Sequence, residues 1–172
     1  SATYDWYVSN YNGSVYNNFN PGNPGNYALA GVILWYFNLR NYTGRTVSTD
    51  ADLSVGLVWG ETSPHPFGVY EALAAWDETI VTWQNYLDHT TTSGPPAANK
   101  SWTNYFGPKI ATTEIGDANA IYHWVIPSNV VQRWLDDPVN NKGFAVIPDY
   151  YGNHMLCTRS QHTQLTRVPR LT

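Results

Sequence analysis

From Leu29 to Leu39 the chain is apolar at almost every position, and this run limits the fold more than any other stretch. It is too short to cross a bilayer as a helix, which takes about 20 apolar residues. Val32, Ile33, Trp35, Tyr36 and Phe37 are β-branched or aromatic, the types that fit a pleated, packed surface. A strand with one wet face alternates apolar and polar residues. An unbroken run instead predicts a central strand covered on both faces.

The rest of the composition agrees with a β-rich protein. Only 13% of the 172 residues are charged while 15% are aromatic, so polarity comes from Asn, Thr, Ser and Gly rather than from Lys and Glu. A length of 172 residues fits a single domain over residues 1–172. The net charge of −4, with Lys and Arg scattered, offers no basic field for phosphates and argues against nucleic-acid binding. No apolar run reaches membrane-spanning length, so no membrane span is expected. Cys157 is the only cysteine, which excludes an intrachain disulfide and a multi-cysteine zinc site. A chain that begins at Ser1 without an initiator Met reads as processed, and an extracellular or cell-surface location is expected.

Along the chain, Thr3 to Val8 alternates as a first strand, and the Asn-Pro-Gly-Asn-Pro-Gly of residues 20 to 25 lies within a long loop from Ser9 to Tyr27. Within Val47 to Gly60, Leu53, Val55, Leu57 and Trp59 alternate with Ser54, Gly56 and Val58, a half-exposed strand that Pro64 and Pro66 interrupt before pairing resumes at Phe67 to Leu73. Strands are expected at Lys109 to Ile115 and Ala120 to Ile126. One short helix follows, capped by Ser128, striped by Val130, Val131, Trp134 and Leu135, and stopped by Pro138. It is expected to plug a sandwich end. Phe144 to Ile147 and Met155 to Ser160 are expected to form a hairpin through residues 149 to 153, and Val168 to Thr172 a short terminal edge strand.

Two tryptophans, Trp76 and Trp83, flank Asp77, Glu78 and a β-branched run, and they read as core anchors together with Trp134. Asp77 and Glu78 as paired acid and base carboxylates are the weaker alternative, because adjacent side chains diverge on a strand and on a helix. The histidines at 65, 89, 123, 154 and 162 show no metal-ligand spacing, and no catalytic residue is assigned. Asp50 and Asp52 precede a strand; they fit a solvated turn and are also candidate ligands for a structural calcium, the one cofactor considered. Tyr11, Tyr16, Trp102, Tyr105, Tyr150 and Tyr151 fall in expected loops, where an aromatic face can meet sugar C–H groups. Glycosylation sequons stand at Asn12, Asn41 and Asn99, about as many as composition alone would give.

Several motifs occur in one order: Tyr4 to Val8, the loop from Asn20 to Tyr27, Leu34 to Leu39, Trp76 to Asn85, Val130 to Trp134, Lys142 to Val146, Thr158-Arg159-Ser160, and Pro169 to Thr172. In that order they resemble a DNRLRE domain, of the disaggregatase-related family allied to alginate-binding carbohydrate modules. The resemblance covers nearly the whole chain and is most specific at Trp76 to Asn85. It implies a jelly-roll β-sandwich of antiparallel strands on a secreted or cell-surface protein. The expected function is a non-catalytic surface-interaction protein that self-associates, through its loops and terminal edge strand, as a subunit of a filament, surface layer or particle. The alternative is a carbohydrate-binding module for a neutral or acidic polysaccharide.

Overall fold

The apolar run becomes strand β2, Val32–Tyr36, which pairs antiparallel along its length with β1, Tyr4–Val8. The computed structural model describes residues 4–8, 32–60, 63–76, 105–116, 120–148, 155–157 and 168–172. The further strands are β3 (Ala51–Gly60), β4 (His65–Ala72), β5 (Phe106–Ile115), β6 (Ile121–Ile126), β7 (Phe144–Pro148), β8 (Met155–Cys157) and β9 (Arg170–Leu171). A 3-10 turn spans Arg40–Tyr42, and among the described residues one α-helix, α1, spans Ser128–Asp136. The strands form two antiparallel sheets, one in the order β1-β2-β7-β4-β5 and one in the order β6-β3-β8, with β9 also paired to β3. The protein is an all-β sandwich.

Cross-strand partners share a face, so the register assigns the layers. Ile33, Val146 and Val69 line up across β2, β7 and β4, as do Trp35 and Phe144, and all five are buried in the core between the sheets. Leu34, Ala145 and Tyr70 line up on the opposite face and are buried as well. The two-sided burial expected of the apolar run is therefore present at Ile33, Leu34 and Trp35. The second sheet differs. Leu53, Val55, Trp124 and Ile126 point into the core, whereas Ile121, His123 and Val125 alternate with them and are exposed.

Helix α1 lays Val130, Val131 and Trp134 against this core, with Leu135 also buried, and the Trp134 ring sits 4.7 Å from that of Phe144. The stripe is the one expected, but the cap is not Ser128. Its hydroxyl makes no capping bond; instead the Ser128 N–H donates to Asp50 Oδ1 at 2.9 Å, so an acceptor from the chain just before β3 satisfies the helix start. Gln132 fixes the same region from the helix side, accepting from the Val47 N–H at 2.8 Å and donating to the Arg45 carbonyl at 3.2 Å.

Three other expectations are corrected. Residues 149 to 153 do not close a hairpin: β7 pairs with β2 and β4, while β8 pairs with β3 in the other sheet. Pro66 does not interrupt β4, because β7 begins to pair only at Phe67, and Pro66 lies near the strand start where a missing N–H is tolerated. On β3 the alternate positions are not wet throughout, since Ser54 and Gly56 are buried along with Leu53, Val55 and Leu57.

Candidate functional site

The described residues bring ionisable side chains from distant parts of the chain together on the outer face of the second sheet. Register sets Asp52 opposite Val125 and Ser54 opposite His123, so Asp52 and His123 are diagonal neighbours on one face. His123 Nδ1 lies 2.9 and 3.0 Å from the two Asp52 carboxylate oxygens. Both side chains are substantially exposed, at 57% and 41%, so the pair is a weak contributor to stability. The Thr113 hydroxyl of β5 donates to the His123 carbonyl and ties the edges of the two sheets together. Terminal strand β9 completes the face, with Arg170 opposite Ser54 and Thr172 exchanging backbone hydrogen bonds of 2.7 and 3.0 Å with Asp52.

Serine, histidine and aspartate thus share a face of the sheet, with Ser54 buried, but not as a nucleophile triad. The imidazole gives Nδ1 to Asp52, and among the described residues no hydrogen bond links the Ser54 hydroxyl to His123. Asp50 and Asp52 do not converge on a common point either, since Asp50 accepts from the Ser128 N–H and Asp52 faces His123. Among the described residues no group of three or more His, Cys, Asp or Glu is placed to hold a metal ion. Among the described residues the closest ion pair, Arg133 to Glu71 at 2.7 Å, joins α1 to the end of β4.

Of the six aromatic residues expected to meet sugars, Tyr105 is described, and it is 7% exposed at the entry to β5. Its ring is committed to packing, which corrects its expected role as an exposed stacking face. Tyr11, Tyr16, Trp102, Tyr150 and Tyr151 lie outside the described residues, as do Asp77, Glu78, Trp83, Asn12 and Asn99. Trp134 is a core residue at 1% exposure. Trp76 is half-buried, and its indole N–H donates to the Lys142 carbonyl at 2.8 Å, a corner anchor rather than a fully enclosed one. Asn41 is exposed on the 3-10 turn.

Beside Asn41 stands a residue that the sequence did not single out. Tyr42 is 51% exposed, and the Arg45 guanidinium carbon lies 5.5 Å from its ring centroid. The turn residues Asn41 and Gly44 masked it, because turn chemistry and ligand chemistry use the same residue types. Among the described residues no helix is long and apolar enough to cross a membrane. No protein-family model matches the chain, and no curated protein sequence matches it significantly.

Proposed function

We propose that this protein is a non-catalytic, extracellular or cell-surface interaction module of the DNRLRE type, with a jelly-roll course of its strands, that serves as a self-associating subunit of a larger assembly. The observation that carries the reading is the open-edged sandwich: among the described residues, the two sheets end in short or lateral strands that supply backbone edges for contact with a neighbour. Several described polar groups support that frame. Asp50 holds a helix start, Glu71 pairs with Arg133, and Asn141 donates to the Phe37 carbonyl while accepting from the Gly143 N–H. Electron microscopy and light scattering of the native protein test the proposal. Filaments, sheets, particles or a concentration-dependent rise in mass are expected, and a strictly monomeric species at high concentration would refute it.

Polysaccharide binding is the second reading, and Tyr42 favours it. A half-exposed ring beside a guanidinium offers an apolar face for sugar C–H groups and a donor for hydroxyl or carboxylate oxygens. On an array of neutral and acidic glycans, this reading expects a signal that Tyr42→Ala abolishes. Absence of any signal for the native protein would remove it.

A further inference from the structure

Residues 40 to 46 are exposed without interruption, between Leu39 and Val47, both of which pack against the core. The turn therefore projects from the sandwich on a base pinned at both ends. Its 3-10 segment, Arg40–Tyr42, contains no buried residue. Across the end of that segment lies Asn41-Tyr42-Thr43, an N-glycosylation acceptor triplet whose middle residue is not proline. Composition alone can supply such a triplet, so the weight falls on where the fold puts it.

Placement separates Asn41 from its neighbours. Asn38 Oδ1 accepts from the Arg40 N–H at 3.1 Å, and Asn141 is 5% exposed and donates to the Phe37 carbonyl. Those amides maintain the turn and its floor, whereas Asn41 stands on the outward segment. An oligosaccharide is bulky and strongly hydrated, and a projecting surface turn accommodates one without displacing packed side chains. Timing favours the same residue. In the finished fold the Thr43 hydroxyl donates to the Arg40 carbonyl at 2.8 Å, and Gln132 fixes the far side of the turn, donating to the Arg45 carbonyl and accepting from the Val47 N–H. Gln132 follows Val47 by 85 positions, so the triplet is synthesised well before the side chain that locks it. A transferase that reads the threonine hydroxyl in an extended chain meets it in that interval.

We infer that Asn41 is a glycosylation site, carrying an oligosaccharide on its side-chain nitrogen. The inference rests on the extracellular reading of the protein, because the glycan donor and its transferase belong to the secretory route. In the transfer, Asn41 Nδ2 attacks the anomeric carbon of a polyprenyl-diphosphate-linked oligosaccharide. The carbon–oxygen bond to the diphosphate breaks, a carbon–nitrogen bond forms, and the Nδ2 proton leaves with the lipid diphosphate. The product reserves this turn for solvent and directs subunit contacts to other surfaces of the molecule.

Cell-free translation of the full chain behind an added signal peptide, in the presence of microsomal membranes, tests this. The readouts are protease resistance, for folding, and glycopeptide mass spectrometry before and after peptide-N-glycosidase. The native chain is expected to carry an oligosaccharide on the Asn41 peptide, and its release is expected to leave aspartate at that position. Thr43→Ser is expected to retain the modification because it keeps the hydroxyl. Thr43→Ala and Asn41→Gln are expected to lose it while the chain stays protease-resistant, since both positions are exposed. A translocated, protease-resistant native chain with Asn41 bare overturns the site and leaves the extracellular reading standing. A native chain that becomes protease-resistant outside the microsomes and never inside them overturns both.

Discussion

At Gly143 the backbone has φ +88°, and a Cβ built there would collide with the Trp35 backbone carbonyl. Both terms act against any side chain, since the left-handed region disfavours L-residues and the obstacle is main chain that cannot swing away. Gly143→Ala is therefore expected to cost more than about 3 kcal/mol in urea denaturation, at the upper end of single substitutions. A second comparison isolates one hydrogen bond. Trp35 and Trp124 are both fully buried and meet edge-to-face at 6.2 Å, but Trp124 Nε1 donates to the Phe67 carbonyl at 2.9 Å, whereas Trp35 Nε1 is buried without a partner among the described residues. The change to Phe removes similar volume at each site, so Trp124→Phe is expected to exceed Trp35→Phe by about 1–3 kcal/mol, the cost of orphaning a buried group. Equal losses in the two unfolding curves would show that the Trp124 bond contributes nothing net.

Among the elements, the helix and the buried strand were legible in the sequence because their signals are local. The stripe of Val130, Val131, Trp134 and Leu135 and the run around Ile33 to Trp35 reflect burial within a few residues. Partners were not legible. Whether β8 follows β7 in one sheet or crosses to β3 depends on contacts between residues far apart, and a turn-like stretch at 149 to 153 does not specify which. The Asp52–His123 pair was hidden for the same reason, since only the β3–β6 register brings them together. The helix cap sharpens the point. Asp50→Ala is expected to cost about 1 kcal/mol because it removes the acceptor at the helix start, while Ser128→Ala is expected to change stability by less than about 0.5 kcal/mol. Thermal unfolding of the two variants decides between the acceptor supplied by the chain before β3 and a local cap.

In the molecule as a whole, the sheets have different surroundings. The five-stranded sheet is buried on both faces at β2, β7 and β4, whereas the four-stranded sheet presents Ile121, His123 and Val125 to solvent. The terminal segment is part of the frame rather than an appendage: Val168 is 3% exposed, Leu171 packs against the core, and Thr172 bonds to Asp52 in both directions. Removal of Val168 to Thr172 is expected to cost on the order of 3 kcal/mol through lost apolar burial and ladder bonds. Differential scanning calorimetry checks it, and an unchanged transition would mean that the segment merely rests on β3.

The placement of β3 also bears on how the chain acquires its shape. Leu57 pairs with Cys157, about a hundred positions later, and Leu53 pairs with Leu171 still further along. During synthesis β3 is therefore made long before the strands that cover its second edge, and its ladder on that side closes only when nearly all of residues 1–172 have emerged. Such distant pairing carries a large loop-closure cost and slows folding. The nascent chain thus passes through a stage with an apolar strand open along one side, the stage at which it is most exposed to premature contact with its neighbours.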